Sequence, residues 1–391
     1  MAFRPFFLGA SLYAVIALSL WGLSLIDVSP GFQPQGGWSA WSAHEIVFGM
    51  IQGVVIGFLL TTSRNWTKLS DPTLQSVRLI FITWLSARIA WLWADMPHGL
   101  LALLDIATPI LAAHSLARTL MAGEQASGED NQGHNWPFVM VLLVFALAQG
   151  LYHFLLYQQS AYVDTLQKIA VLLMMAMVLW ISNRALPFFT HVRLSVPLPL
   201  LPPRLKVLSM SLTWLLVPCY LLHALLKPLS FSQAAEAVAY LTTAVAALAA
   251  LSQLNLFRLF YRSGVLSEPM LWSIYSAYLW MLAGLLMLSL SFWYSLPWLH
   301  TVLVGLFIMV FSMMARVSMG YTGREVTALP GITLSFWLLQ LAGLSRVAAN
   351  WATHPEPLYL LGIVCLLIPM MIFLRHYLPI LLNPRVDGKP F

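Results

Sequence analysis

Histidines and single charged residues inside long apolar stretches are the side chains of this chain that could do chemistry. Imidazole is the commonest metal ligand in proteins and a frequent ligand of haem iron. A charged side chain at the centre of a bilayer costs on the order of 2.5–3.5 kcal/mol on insertion scales, so each one suggests a function. Ten ionisable residues lie in such stretches: His44, Glu45, Arg88, Asp105, His153, Lys168, His223, Glu236, His300 and Arg346.

The composition excludes several classes of protein. Apolar residues make up 60% of the chain and charged residues 9%, whereas soluble domains carry about 25% charged residues. A soluble enzyme and a disordered chain are therefore excluded. The net charge of +6 comes without a basic run, so we expect no nucleic-acid partner. The prediction is an all-α, polytopic transmembrane helix bundle, with residues 1–391 forming one integral domain in the lipid bilayer.

Stretches of about 20 apolar residues, long enough to cross a bilayer, recur along the chain. Of the 20 Lys and Arg residues, 16 fall on one side of the predicted spans and four on the other: Arg88, Lys168, Lys227 and Arg346. By the positive-inside rule both termini are predicted to be cytoplasmic. A polar loop from Gly123 to Gly133 is the most hydrophilic segment. The twelve predicted spans are residues 5–28, 43–63, 74–95, 98–121, 136–158, 163–182, 205–226, 232–260, 268–292, 297–320, 330–350 and 356–380.

This orientation places the ten ionisable residues at a similar depth in the outer leaflet. The match of depth predicts a polar or cofactor-containing cavity that is open toward the outer face. The alternative is that long side chains such as those of Lys168, Glu236 and Arg346 only extend to place their charged groups at the membrane–water interface. Arg88 and Asp105 lie deeper, on helices joined by a very short turn, and we predict that they pair.

The histidines of the outer leaflet are candidate ligands. His98 and His354 fall in predicted loops, whereas His153 lies in a helix with Gln149 one turn earlier on the same face. Facing imidazoles in a bundle can clamp a haem or hold a metal; the alternative is that each imidazole bonds a backbone carbonyl. Glu45 is expected to orient a histidine of a neighbouring helix, because adjacent positions on one helix diverge by about 100°. The candidates inside helices are His44, His153, His223 and His300.

Several strings run in order along the chain: Arg4–Leu8, Trp41–Gly49, Asn183–Thr190, Gly320–Arg324 and Pro384–Gly388. Together these strings resemble the NnrS family over the whole chain. The resemblance implies a twelve-helix bacterial inner-membrane protein that contains haem and copper and is associated with the response to nitric oxide. Carried over by position, the motif residues are His44, Glu45, Arg184, His300, Arg316 and Arg324.

The chain departs from the family pattern at three positions where the family usually has histidine. Ser42, Tyr275 and Tyr321 occupy them. Two alternatives therefore stand beside the full cofactor set: a divergent member that keeps haem and has lost copper, and one that keeps the fold and binds neither.

The leading hypothesis is a membrane protein of the NnrS type that binds haem b, and copper as a second cofactor, and meets nitric oxide. Its expected cofactor-binding residues are His44, His300, His153, His223, Glu45 and Arg88, with His44 and His300 as metal ligands. We expect His44→Ala or His300→Ala to lower the haem content and His98→Ala to leave it unchanged. Sensing, scavenging and conversion of nitric oxide all remain open, as does the oligomeric state. The alternative is a secondary transporter with a polar site in the outer leaflet.

Overall fold

The structure is a computed structural model that describes the chain except residues 27, 29–30, 32, 69–71, 94, 128–134, 227–231 and 389–391. Lys227, Lys389 and most of the predicted polar loop at Gly123–Gly133 thus lie outside the described residues. Within the described residues the regular structure is entirely helical, without a strand. The predicted all-α class is confirmed.

Twelve long helices account for most of the described chain, as the sequence predicted. Ten of them are long and apolar enough to cross a membrane. The other two are α3, which carries Arg78 and Arg88, and α11, which has 17 residues. The helices are α1 (Phe3–Leu25), α2 (Gly37–Thr67), α3 (Leu74–Trp91), α4 (His98–Ser127), α5 (Trp136–Tyr157), α6 (Tyr162–Leu194), α7 (Pro203–Leu226), α8 (Ser232–Phe260), α9 (Pro269–Leu290), α10 (Trp298–Gly320), α11 (Ile332–Ala348) and α12 (Glu356–Leu382).

The chain divides into two compact units. The first unit contains residues 1–167, 314–326 and 370–391, and the second contains residues 168–313 and 327–369. In the first unit, glycines of α2 let neighbouring helices approach closely. A Cβ at Gly53 would lie 2.8 Å from the Trp84 indole nitrogen, and one at Gly57 would lie 2.7 Å from Phe6. Small residues serve the same purpose at many helix contacts in membranes.

Helix α2 changes its winding in the middle. Residues Glu45–Ile51 form a π-helical segment between two α-helical parts, and such segments widen the turn because each N–H reaches the carbonyl five residues earlier. By contrast, α4 and α7 run without interruption through Pro109 and Pro218. The irregular backbone of α2 thus begins at a charged residue, Glu45.

The orientation of the helices leads to a prediction about topology. With twelve predicted spans and 16 of the 20 basic residues predicted on one side, we expect a reporter fused after Phe391 to be cytoplasmic. A reporter inserted near Gly36, in the α1–α2 connection, should be periplasmic. Alkaline phosphatase and fluorescent-protein fusions measure the two locations. Activity of both fusions on the same side of the membrane would contradict the twelve-span arrangement.

Candidate metal centre

Four consecutive helices of the first unit bring together five ionisable side chains. Helix α2 supplies His44 and Glu45 at the start of its π-helical segment, α3 supplies Arg88, α4 supplies Asp105 and α5 supplies His153. Each of these residues is at most 3% exposed. They are five of the ten residues predicted at a common depth. They do not form the predicted open cavity, because they pack into a closed cluster.

Asp105 is the centre of this buried charge cluster. Its Oδ2 atom accepts hydrogen bonds from His153 Nε2 at 3.0 Å and from Trp91 Nε1 at 2.9 Å. The same oxygen lies 3.1 Å from His44 Nε2. Its other oxygen forms an ion pair with Arg88 Nη2, which confirms the predicted pairing of Arg88 with Asp105. One carboxylate therefore links three helices to α4.

Glu45 has a different partner from the one predicted. Its Oε1 atom accepts a hydrogen bond from Nδ1 of the adjacent His44 at 2.8 Å, and its Oε2 atom lies 3.0 Å from Arg88 Nε. The expectation that Glu45 would serve a histidine of another helix is wrong. Regular α-helical geometry would separate neighbouring side chains by about 100°, but the helix widens into its π-helical segment at this junction. The two side chains therefore meet.

The widened turn also exposes backbone carbonyls to side chains of α3. Arg88 Nη1 donates to the carbonyl of Phe48 at 3.1 Å, and Trp84 Nε1 donates to that of Gly49 at 2.8 Å. A buried carbonyl without a partner would be costly. These two side chains thus satisfy the π-helical segment and hold α2 against α3 at the same time.

The charges of the cluster do not cancel. Glu45 and Asp105 are opposed by one guanidinium, that of Arg88, so neutral imidazoles leave a net charge of −1 in a region that excludes water. Burying an uncompensated charge is strongly unfavourable. Either a proton on an imidazole or a bound cation must balance the cluster. Two imidazole nitrogens, His44 Nε2 and His153 Nδ1, are buried without a hydrogen bond among the described residues.

The same residues have the arrangement of metal ligands. One donor atom from each of His44, Asp105 and His153 lies within 4.8 Å of the others. Two imidazoles with one carboxylate suit iron, copper or zinc. Glu45 supplies the acceptor that orients a ligating histidine through its second nitrogen. The set therefore fits a single ion.

A haem does not fit between these histidines. The His44 ring is packed against three aromatic rings, with centroid distances of 4.5 Å to Trp91, 4.9 Å to Tyr152 and 5.0 Å to Phe48. The His153 ring is 5.7 Å away. Both histidines reach the same Asp105 oxygen, so no gap for a planar macrocycle separates them.

His98 lies in a helix rather than in the predicted loop, and it is not part of the buried charge cluster. It is the first residue of α4, where its Nε2 donates to the backbone carbonyl of His153 at 2.9 Å, and its Nδ1 is 3.1 Å from Gln35. Both nitrogens are thus engaged outside the ligand set. Gln149, the predicted polar neighbour of His153, is buried and donates to Gln52 at 3.3 Å.

His300 and His223 belong to the second unit. Nε2 of His300 accepts a hydrogen bond from Arg346 at 2.7 Å, and the guanidinium of Arg346 lies 4.4 Å from the ring of Tyr359. Nδ1 of His223 donates to the carbonyl of Ala235 at 3.0 Å. Neither histidine belongs to the group of potential metal ligands that the described residues form.

The three residues that the sequence analysis placed at expected histidine positions make ordinary hydrogen bonds. The Tyr275 hydroxyl donates to the carbonyl of Phe260 at 2.9 Å, and the Tyr321 hydroxyl accepts from Asn65 at 2.6 Å. Ser42 donates to the carbonyl of Ser39 at 3.1 Å. Each therefore has a structural role in this chain.

The family model described as "NnrS protein" matches residues 1–385. A comparison with curated proteins gives no match. The matched range contains every residue of the buried charge cluster as well as His223 and His300.

Proposed function

Because the chain belongs to the NnrS protein family, we propose that it is a metal-binding protein of the bacterial inner membrane that responds to nitric oxide. The metal is held by His44, Asp105 and His153. The observation that carries this proposal is the shared Asp105 oxygen, which both imidazoles reach in a cluster with one more carboxylate than cations. Copper is the metal that the family resemblance implies, and this donor set also suits ferrous iron.

Glu45 prepares His44 for this role. Its carboxylate accepts from Nδ1 of His44, which leaves Nε2 as the nitrogen that faces Asp105. Without a cation between them, an unprotonated Nε2 and a carboxylate oxygen repel each other at 3.1 Å. A bound ion removes this repulsion, because a deprotonated histidine nitrogen and a carboxylate are both good ligands. Arg88 neutralises the other carboxylate of the cluster, that of Glu45.

The metal would supply coordination positions that the three protein ligands leave open to a small molecule. Nitric oxide is small and lipid-soluble, so it reaches a buried site without a water-filled channel. The aromatic rings around His44 exclude water from these positions. We do not place haem b at these residues, because the rings leave no room for it. The haem expected from the resemblance stays a prediction that the absorption spectrum tests.

Metal content is the direct test. Protein purified from cells grown with added copper and iron should contain about one of these ions per chain. His153→Ala removes one of three ligands and should lower the metal content at least tenfold. His114→Ala on α4, where the histidine is exposed, is the matched control and should retain the metal. His98→Ala should retain it as well.

Two further results would decide the function. Nitric oxide added to the metal-loaded protein should change its electron paramagnetic resonance spectrum, and His153→Ala should abolish the change. Equal metal contents in the wild type and in His153→Ala would contradict the site. A metal-free protein with an absorption spectrum confined to the ultraviolet would favour the secondary transporter instead.

A further inference from the structure

An apolar groove of about 580 Å³ lies in the first unit, and Arg88 of the buried charge cluster is one of the residues that line it. Its walls are mostly aliphatic side chains of α1, α3 and the end of α12. Leu12 is 48% exposed and Ile89 is 60% exposed, so the groove is open along one side. The aliphatic wall residues include Leu8, Leu12, Ile16, Leu85, Ile89 and Leu381.

One end of this groove is strongly basic. Arg4 lines it and donates from Nη1 to the carbonyls of Leu381 at 2.8 Å and Asn383 at 2.7 Å. The positive charges of Arg324 and Arg385 both act on the Arg4 guanidinium. We refer to Arg4, Arg324 and Arg385 as the arginine cluster.

The chain holds the arginine cluster together by backbone contacts. Arg385 Nη1 donates to the carbonyl of Tyr321 at 2.6 Å, and the N–H of Val386 donates to the carbonyl of Thr322 at 3.1 Å. Asp387 is hydrogen-bonded to Arg385 Nε at 2.8 Å and raises the pKa of that guanidinium. The three arginines and Asp387 together carry a net charge of +2.

We propose that the groove and the arginine cluster bind one anionic phospholipid of the cytoplasmic leaflet. The phosphate lies on the arginine cluster, and one acyl chain lies in the groove. Planar guanidinium groups match the geometry of phosphate oxygens, and anionic lipids are concentrated in the cytoplasmic leaflet. All three arginines fall on the side that the distribution of basic residues assigns to the cytoplasm.

The length of the groove fits an acyl chain. From Arg4 to Ile16 a helix rises about 18 Å, at 1.5 Å per residue. One leaflet of the hydrocarbon core is about 15 Å deep, half of about 30 Å. The α1 wall of the groove therefore runs from the headgroup region of the cytoplasmic leaflet to about the bilayer centre. A free phosphate ion would use the arginines and leave the aliphatic walls without an occupant.

Lipid binding to the purified full-length protein tests this proposal. After delipidation in detergent, native mass spectrometry should show one phosphatidylglycerol bound, with phosphatidylcholine binding at least tenfold more weakly. Arg324→Gln with Arg385→Gln should weaken phosphatidylglycerol binding roughly 25-fold, at about fivefold for each arginine near a lipid surface. Arg204→Gln with Lys206→Gln, on the same predicted side in the second unit, is the matched control and should bind as the wild type does.

A second variant tests the proposal even if the variant with Arg324→Gln and Arg385→Gln does not fold. Leu12→Trp fills the groove and leaves the arginine cluster intact, and it should also lower phosphatidylglycerol binding. Equal binding of the two lipids, or wild-type binding by folded Leu12→Trp, would overturn the proposal. Displacement of the lipid by millimolar inorganic phosphate would also overturn it, in favour of an ion site. Metal content should stay unchanged in all these variants, which separates this test from that of the metal site.

Discussion

Arg88→Met should greatly lower the yield of folded protein. The change leaves Glu45 and Asp105 buried without the cation that both contact, and it also removes the donor to the Phe48 carbonyl. Breaking a buried ion pair by removing one partner typically costs about 3–5 kcal/mol. Size-exclusion yield and thermal unfolding in detergent measure the effect. Arg78→Met, at an exposed position on the same helix, should behave as the wild type does.

The charge count predicts a partial rescue. In Arg88→Met with Asp105→Asn, Glu45 is the carboxylate that remains, and a protonated His44 neutralises it at 2.8 Å. The double variant should therefore fold better than Arg88→Met alone. Strict additivity of the two single changes would show that the residues do not act as a pair. Metal content is a separate readout, since Asp105→Asn also removes a metal ligand.

Gly305→Ala should strongly destabilise the second unit. A Cβ at this position of α10 would lie 2.8 Å from the carbonyl oxygen of Ala277 and 2.8 Å from the backbone nitrogen of Met281, both on α9. Backbone atoms of a packed helix cannot turn aside as a side chain does. The helices must separate, and overpacking of this kind costs about 1–3 kcal/mol.

Gly150→Ala in α5 is the matched control for this change. The nearest neighbour of the added Cβ atom would be the end of the Ile106 side chain at 3.4 Å, which is an ordinary van der Waals contact. Alanine favours a helix over glycine by about 1 kcal/mol, so the thermal midpoint should stay the same or rise. Equal losses in Gly150→Ala and Gly305→Ala would mean that the close approach of α9 and α10 is not what matters.

The helices could be predicted from the sequence because their signal is local. Each span is a run of apolar residues of bilayer length, and the turns between them are short. The pairing of Arg88 with Asp105 followed from the same logic, since a short turn makes α3 and α4 neighbours. His153 and Gln149 were placed on one buried face by their helical spacing.

The parts of the site that could not be predicted depend on geometry that a single sequence does not show. The π-helical segment at Glu45 changes the angle between adjacent side chains, and no residue type marks it. Trp91 donates directly to Asp105, a contact that its residue type alone does not predict. The partner of His300, Arg346, lies on a helix 46 positions later. Apart from helices joined by a short turn, no local pattern shows which helices face each other.

All residues of the buried charge cluster come from one contiguous stretch of the chain, residues 44–153. This has a consequence for how the protein inserts into the membrane. Helices of a polytopic protein enter the membrane in order during synthesis, and Glu45, Arg88 and Asp105 arrive on three successive ones. Each new charge meets an opposite charge on the helix inserted just before it. Each of these charged residues thus has an oppositely charged partner while the ribosome is still making the second half of the chain. A truncated chain ending after α5 already contains every ligand of the proposed metal.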